Sequence, residues 1–128
     1  MQPATHLGID PSLCGRPVSL SPRRALVRLP LIPAMAVDAR GLVHGGFLFG
    51  LADYAAMLAV NDPLVVLGAA EVRFLAPATV GETIEAEAVA ETDAGRKRRV
   101  NVTVRREATT IFTGAFTCFV LDKHVLDQ

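Results

Sequence analysis

The chain has 128 residues, 51% of them apolar and 20% charged, a composition that allows one domain with a buried core and argues against disorder. Thirteen basic residues balance thirteen acidic ones, so the sequence lacks the basic surplus typical of nucleic-acid binders. Two cysteines without a CxxC or Cys/His cluster predict neither a disulfide framework nor a metal site, and we expect no metal or redox cofactor.

The sequence offers no signal that directs the chain to or through a membrane. Its N-terminus has neither the basic nor the apolar region of a secretion signal. The longest apolar stretch, residues 47–60, is shorter than the ~20 residues that a membrane span needs, and Asp53 interrupts it. We therefore expect a cytoplasmic protein with no membrane partner, organised as a single domain over residues 1–128.

The first third of the chain predicts little regular structure. Residues 1–23, rich in proline, serine and glycine, predict a short helix or turn followed by an edge segment. Residues 25–31 predict a strand, and Pro30 and Pro33 place its end at a sheet edge. Residues 38–41 predict a turn.

One long helix is predicted over residues 44–61. Apolar residues recur there at helical spacing, and alanines, which are good helix formers, fill positions between them. Because apolar residues occupy nearly every side, the helix should be buried all round. Asn61, Asp62 and Pro63 end it.

Four strands are predicted after the helix. They cover residues 64–75, residues 82–91, a stretch around Val100 to Val104, and residues 111–121, with turns at 93–95 and near 108–109. Short connections between strands favour antiparallel pairing. The predicted fold class is therefore α+β, a curved antiparallel sheet wrapped around one long central helix.

Asp53 is the one ionisable residue inside the predicted helix. An isolated carboxylate in apolar surroundings is costly unless it is paired or protonated. Gly46 and Gly50 lie on the same helix face, although glycine inside a helix costs about 0.5–1 kcal/mol relative to alanine. Either Asp53 bonds a neighbouring strand and the glycines admit a packed partner, or the acid is functional and Gly46 helps to admit a substrate. Spacing alone leaves both interpretations open.

His44, Gly45 and Gly46 begin the predicted helix. First-turn amides have no acceptor within a helix, and the helix dipole leaves them partially positive, so they can hold a developing oxyanion. A histidine alone at this position is typical of a cap or a structural contact. Two glycines beside it, and an acid on the same helix, favour a catalytic role instead.

The run from His44 to Asp53, HGGFLFGLAD, resembles the signature of the hotdog-fold acyl-CoA thioesterases, in the branch that includes phenylacetyl-CoA thioesterase. The sequence also resembles small uncharacterised archaeal and bacterial members of that superfamily, over roughly residues 24–121. The resemblance implies hydrolysis of a small to medium or aryl acyl-CoA to CoA and a free acid. It also implies that the Gly45 N–H binds the thioester carbonyl, that Asp53 is the nucleophile or the base for water, and that His44 supports the loop presenting the amide.

Two positions depart from the family pattern. Asp38 stands six residues before His44, where the family commonly has Asn or Gln that binds near the substrate; an ionised aspartate accepts a hydrogen bond but donates none. Leu67 stands where some relatives use Ser or Thr to position water. A non-catalytic acyl-CoA-binding protein on the same fold is therefore an alternative. A hotdog dehydratase is a weaker one, because its His-Phe-x-x-x-Pro type loop is missing.

The spacing of the two site groups predicts an oligomer. Asp53 lies eight residues after Gly45, or about 12 Å along a helix. One thioester carbonyl cannot contact both groups of the same chain. If both act in catalysis, the acid of one subunit must face the amide of another, and a two-fold dimer with antiparallel helices provides two such sites. We expect a homodimer, or a tetramer built from two such dimers.

A basic run, Arg96, Lys97, Arg98 and Arg99, follows the predicted turn at 93–95. Such a run is usually a solvated surface. In an acyl-CoA enzyme it could contact the nucleotide phosphates, because Arg and Lys provide charge-assisted donors. The resemblance adds some support to that second interpretation, because this part of the sheet often lies near the nucleotide end of CoA in hotdog thioesterases, but a solvated surface is still the commoner role of such a run.

Overall fold

One long helix lies against a six-stranded antiparallel sheet. The computed structural model describes residues 1–128. Its helices and strands are α1 (Pro11–Cys14), β1 (Arg16–Ser21), β2 (Arg24–Pro30), α2 (Gly45–Val60), β3 (Val65–Phe74), β4 (Thr83–Ala90), β5 (Lys97–Arg106) and β6 (Thr109–Val120). Short 3-10 turns cover Pro33–Met35 and Val125–Asp127. No helix is both long enough and apolar enough to cross a membrane.

The strand order across the sheet is β1-β2-β4-β5-β6-β3, and every pair is antiparallel. The chain leaves β2, passes through α2, and returns to the opposite side of the sheet at β3. The next three strands then fill the middle through short connections. This arrangement confirms the predicted α+β class and the hotdog architecture, with β1 and β3 as the two edge strands.

The predicted element bounds agree with the structure to within a few residues, and the end of the strand predicted for residues 25–31 lies at a local sheet edge, as the prolines indicated. β2 as a whole lies between β1 and β4, but β1 stops short of its end. It pairs with β2 no further than Arg28, so the missing N–H of Pro30 faces no strand on that side, while Pro30 still pairs with Thr83 of β4.

Small side chains set how closely α2 approaches the sheet. The helix packs mainly on β4, β2 and β5. Its Ala52, Ala55 and Ala56 are fully buried, as are Ala86 and Ala88 of β4. Alternate residues of β5 are buried as well, which is the period-2 pattern of a strand with one face in the core. The helix is therefore held firmly over one half of the sheet.

The other half of the sheet is only partly covered by the same chain. Ala70 and Phe74 of β3 pair with the buried Phe116 and Phe112, so they point toward the helix side. Ala70 is nevertheless exposed, and Phe74 is 54% exposed. A Cβ on Gly50 of α2 would meet no atom within 4 Å. An open space therefore lies along α2 next to β3, whose outer backbone groups have no strand partner.

Asn61 ends α2 and holds the N-terminal segment. It adopts the left-handed conformation at φ 52°, and its backbone N–H donates to the Met57 carbonyl at 2.7 Å. Its side-chain oxygen accepts from the Ala4 N–H at 2.8 Å, and its side-chain amide donates to the Gln2 carbonyl at 3.1 Å. The C-terminal end of α2 is thereby fixed to the first residues of the chain.

Candidate active site

The loop before α2 is tied down at several points. The Val43 N–H donates to the Ala78 carbonyl at 2.9 Å, and the His44 N–H donates to the Met35 carbonyl at 3.0 Å. Asp38 closes the turn, because its Oδ1 accepts from the N–H groups of Arg40 at 3.0 Å and Leu42 at 3.2 Å. The carboxylate of Asp38 thus shapes the loop that leads to the helix start.

The first three N–H groups of α2 differ in whether they have a hydrogen-bond acceptor. His44 is the N-cap, and its Nδ1 accepts from the Gly46 N–H at 2.7 Å. The Phe47 N–H donates to the His44 carbonyl at 3.1 Å. The Gly45 N–H has no acceptor within the chain. One donor, at the positive end of the helix dipole, is therefore left for a ligand.

Each of the first two glycines of α2 lies under an aromatic ring. A Cβ on Gly45 would lie 2.9 Å from Cε1 of Phe74, and a Cβ on Gly46 would lie 2.8 Å from Nδ1 of His44. Neither position accommodates a side chain without movement of its neighbour. For Gly46 the close contact is the capping histidine itself, which is a structural reason for glycine that the sequence did not indicate.

Asp53 lies in the middle of α2 and is poorly solvated. Its Oδ1 is buried and makes no hydrogen bond. Burial raises the pKa of Asp53 to about 6. Within the chain this oxygen has no strand partner, so the structural interpretation left open by the sequence, a bond from Asp53 to a neighbouring strand, has no support at Oδ1.

The two cysteines near Asp53 are poor nucleophiles. Burial raises the pKa of Cys118 to about 12, and the charge of Asp53 adds to the rise. Burial also raises the pKa of Cys14, with further contributions from Asp10 and Asp53. Both thiols are therefore protonated near neutral pH, and the thiolate is the reactive form. Neither cysteine therefore offers a thiolate beside Asp53 near neutral pH.

Within one chain, the structure does not bring Gly45 and Asp53 together. A cleft of about 320 Å³ opens beside Gly45, and its remaining lining is Val43, Leu48 and residues 74–78. Asp53 does not line it. The acid lies eight residues further along the helix, about 12 Å away along the axis. Leu67, the other position that departs from the family pattern, pairs with Cys118 and is half-buried.

The basic run lies at the opposite end of α2 from Gly45 and does not form one patch. Arg98 lines a cavity with Ala59, Val60 and Asn61 at the C-terminal end of the helix, and its Nε donates to the Gly95 carbonyl. Lys97 and Arg99, its neighbours along β5, point to the other face of the sheet, because successive side chains of a strand alternate between faces. Arg99 contacts Glu91 at 3.3 Å, and Arg96 contacts Asp122 at 3.6 Å. Lys97 has no ion-pair partner.

Sequence reasoning missed Phe74 as part of the site. The ring covers Gly45 and packs edge-on against Phe112, with ring centroids 5.1 Å apart. In the sequence, Phe74 looks like any apolar residue at the end of a strand. Its contact with a glycine 29 positions earlier depends on how β3 passes the helix start, which no local pattern predicts.

The sequence matches a model of the thioesterase superfamily over residues 40–112, more than half of the chain. The chain belongs to the thioesterase superfamily. Among solved structures, an uncharacterized protein from Pyrococcus horikoshii is 51% identical, with 99% of this chain and 98% of that chain covered and a TM-score of 0.97. A variant of the phenylacetic acid degradation protein PaaI from Thermus thermophilus is 31% identical, with 85% and 95% covered and a TM-score of 0.77.

Other relatives place this superfamily fold in different contexts. A Streptococcus mutans protein bound to acetyl CoA shares the fold at 22% identity, with 86% and 90% covered and a TM-score of 0.76. Methylthioribose-1-phosphate isomerase of Aquifex aeolicus is 46% identical over 92% of this chain, and transcription factor FapR of Shouchella clausii is 28% identical over 75%. The chain spans only 26% and 50% of the lengths of these two relatives.

Replacing Asp53 by asparagine should stabilise the protein near neutral pH. Burial raises the pKa of Asp53 to about 6, so the native state holds this proton more tightly than the unfolded state does. The charge therefore costs stability above that pKa, and the cost fades as the pH falls below it. Allowing for partial solvent contact, we expect Asp53→Asn to raise the free energy of unfolding in urea by about 1–2 kcal/mol near pH 7, and by much less near pH 4.

Asp62→Asn is the matched control. The Asp62 Oδ1 accepts from the Leu64 N–H at 2.9 Å, and asparagine keeps that acceptor. This variant should not gain stability. A loss of stability in Asp53→Asn near neutral pH would show that the carboxylate makes a stabilising bond in the assembled protein.

Proposed function

We propose that this protein hydrolyses acyl-CoA thioesters to CoA and a carboxylic acid. The observation that carries the proposal is the unbonded N–H of Gly45, at the start of a helix whose other first-turn amides are already used. A tetrahedral intermediate at a thioester carries its negative charge on the former carbonyl oxygen. A fixed, unsatisfied N–H at a helix N-terminus is the kind of donor that stabilises such a charge.

In this proposal Asp53 is the base that activates water, or the nucleophile itself. Its carboxylate takes a proton from water as the hydroxide adds to the carbonyl carbon; the C–S bond then breaks, and the CoA thiolate leaves and is protonated. Direct attack by the carboxylate, followed by hydrolysis of the anhydride, uses the same ionised form. A pKa of about 6 leaves the acid largely ionised near neutral pH and makes it more basic than an ordinary aspartate.

We infer that each site uses two subunits. The 12 Å or so between Gly45 and Asp53 exceeds the reach of one carbonyl group. The open space beside Gly50 and the unpaired edge of β3 support a second copy packed along α2. With the helices antiparallel, the Asp53 of each subunit approaches the Gly45 of the other, and the two-fold axis makes the sites equivalent.

Two comparisons support a substrate with a small to medium or aryl acyl group. The chain belongs to the thioesterase superfamily, and the PaaI relative is named for phenylacetic acid degradation. The acetyl CoA bound to the Streptococcus mutans protein of the same fold supports CoA as the carrier. In the proposed dimer the acyl group lies along the open α2 face, where Gly50 offers no side chain and Phe49 packs on Phe116 with ring centroids 5.5 Å apart.

The basic run has a place in the same dimer. Antiparallel helices bring the C-terminal end of one α2 near the N-terminal end of the other. Arg96, Lys97, Arg98 and Arg99 of one subunit would then lie near the site that the other subunit's Gly45 forms. We propose that the run contacts the nucleotide part of CoA, with Arg98 the member of β5 that lies on the helix side of the sheet.

Acyl-CoA binding without efficient hydrolysis is the second candidate. FapR, a transcription factor, matches three quarters of this chain, so the fold is not restricted to hydrolases. Leu67 offers no hydroxyl to position water, and Asp38 is used by its own loop. Free-thiol release from a panel of acyl-CoAs separates the two functions, because only the hydrolase releases CoA in amounts that exceed the protein.

Asp53→Asn should retain acyl-CoA binding and lose at least about 100-fold in turnover, because it keeps the shape of the side chain and removes the base. In the unsubstituted protein, kcat should rise with pH through an apparent pKa near 6, because only the ionised acid reacts. CoA release is measured by chromatography across the pH range. Near-normal turnover of Asp53→Asn, or full activity well below pH 5, would contradict the assigned role of this acid.

Two inactive variants should restore activity when they share a dimer. Asp53→Asn keeps the amide but lacks the acid, and Gly45→Val keeps the acid but fills the close approach to Phe74. Random mixing by refolding makes about half of the dimers hybrid, each with one intact site of two, so activity should recover to roughly a quarter of the unsubstituted level. The measurement is CoA release before and after mixing.

Subunit exchange must be verified by mass in the same samples. Each variant mixed only with itself is the control and should stay inactive. Verified exchange without recovery would rule out the site between subunits, even if Asp53 proved essential.

A further inference from the structure

We propose that the face of the sheet opposite α2 docks against the same face of a second copy of this chain. The docking surface, the outer patch, consists of six residues whose side chains point away from the helix: Glu71, Arg73, Asn101, Thr103, Thr113 and Ala115. The inference does not rest on the proposed function, because the shared site of that proposal lies on the other side of the sheet, along α2. It adds a second interface, which joins two α2 dimers into a tetramer.

The outer patch crosses three neighbouring strands. Strand β6 lies between β3 and β5, and Val72, Gly114 and Val102 are paired in one row across these three strands. Successive side chains of a strand point to opposite faces, so the residues just before and just after this row point away from α2. The six residues of the outer patch are those positions.

A groove of about 680 Å³ lies over the outer patch. Thr113 and Ala115 of the middle strand form its floor with short side chains, and the longer side chains of Glu71 and Arg73 stand on one side. Packed sheets lie about 10 Å apart face to face. A glutamate and an arginine from opposed sheets can reach across such a gap, and the short side chains of the floor leave room for them.

The two charges of the outer patch have no partner within the chain. Glu71 and Arg73 are both exposed, and neither takes part in an ion pair. Elsewhere on the same face, charged side chains pair within the chain: Arg24 with Glu87, Arg28 with Glu85, Arg99 with Glu91, and Arg105 with Glu87. Both ends of β5 therefore bring compensated charges to the border of the patch, and one acid and one base are left for a partner.

The outer patch is complementary to itself. A two-fold axis along the row of paired residues turns each strand end for end over its own copy. Glu71 of each chain then opposes Arg73 of the other, so that one ion pair forms twice. The same rotation opposes the two short residues of β6, and it opposes the two polar residues of β5. Such reciprocal contacts are the defining feature of an isologous interface.

Other occupants match the outer patch less well. A nucleic acid or an acidic segment would be repelled by Glu71, and a basic segment would be repelled by Arg73. A peptide that adds as a further strand needs unpaired backbone groups at a sheet edge. The groove lies over β6, which has a strand partner on both sides. A second copy of the chain satisfies both charges and needs no free edge.

Reversing either charge should separate the two sheet faces. Glu71→Arg opposes arginines at both pairs, and Arg73→Glu opposes acids at both pairs. Because like charges then face each other in the interface, we expect the association to weaken at least about 100-fold in each variant. The measurement is the mass of the full-length protein by light scattering over a range of concentrations. Each variant should have half the mass of the unsubstituted protein.

An equal mixture of the two variants should regain the full mass. In the mixed complex, each arginine of Glu71→Arg and its neighbour on β3 oppose acids of the other variant, so both pairs are restored. Arg16→Glu is the matched control, because it reverses an exposed arginine without an ion pair on the far edge strand β1. It should keep the full mass alone, and it should not restore the mass of Glu71→Arg. Full mass of the single variants, or half mass that persists on mixing, would overturn the proposal.

Turnover of an acyl-CoA by the same preparations separates this inference from the proposed function. A tetramer that becomes an active dimer on charge reversal supports both interfaces. An active protein whose mass does not depend on Glu71 and Arg73 overturns the outer patch and leaves the hydrolase standing. A dimer that becomes a monomer on charge reversal supports the outer patch and contradicts the shared site along α2. A monomeric unsubstituted protein overturns both interfaces.

Discussion

The close packing of α2 on β4 is the constraint on which the rest of the structure depends. Alanines on both elements are buried, so the helix axis lies nearer to the sheet than larger side chains would allow. At 100° per residue, the face that carries Gly46, Gly50 and Asp53 points away from this contact. The packing therefore presents the acid and the two glycines at the open side of the helix, and it fixes where the helix begins.

Two of the three N–H groups in the first turn of α2 have an acceptor within the chain, and one does not. His44 uses its ring nitrogen for the Gly46 N–H and its carbonyl for the Phe47 N–H. The Gly45 N–H has no acceptor within the chain, and the ring of Phe74 covers Gly45 on one side. A cap that satisfied all three amides would give a more stable helix start, but it would leave no donor for an oxyanion.

Asp53, like the Gly45 N–H, has a polar atom without a partner in the chain. A carboxylate with an unbonded, buried oxygen destabilises the folded chain when it is ionised, and the raised pKa of Asp53 has the same cause. Such perturbed groups are frequent at functional sites, because a base that water does not solvate is more reactive. The free amide and the destabilised acid lie on one helix about 12 Å apart, which is the basis for proposing a site shared by two subunits.

Much of the architecture could be predicted from the sequence. β4 and β5 alternate apolar and polar residues, and the helix carries apolar residues at helical spacing up to Asn61, so periodicity assigns these three elements. Position within the sheet is harder. The prolines near residue 30 indicated a strand end without a partner on one side, which the pairing shows, but no local pattern reveals that β2 as a whole lies between β1 and β4.

The candidate site was predictable only in part. His44, Gly45 and Asp53 lie within one run of ten residues, so a sequence signature can identify them. The contact of Phe74 with Gly45 and the cleft beside Gly45 depend on long-range pairing, such as that of residues 42–43 with 78–79. The role of Asp38 in closing its own loop also needed the structure, because the sequence does not show that its carboxylate accepts from the N–H groups of Arg40 and Leu42.

The most direct test of the central claim is a crystal structure of Asp53→Asn with an intact acyl-CoA. The account predicts that the thioester oxygen accepts a hydrogen bond from the Gly45 N–H of one subunit. It also predicts that the substituted side chain at position 53 of the other subunit lies beside the carbonyl carbon. A thioester bound away from Gly45, or contacted by position 53 of the same chain, would contradict it.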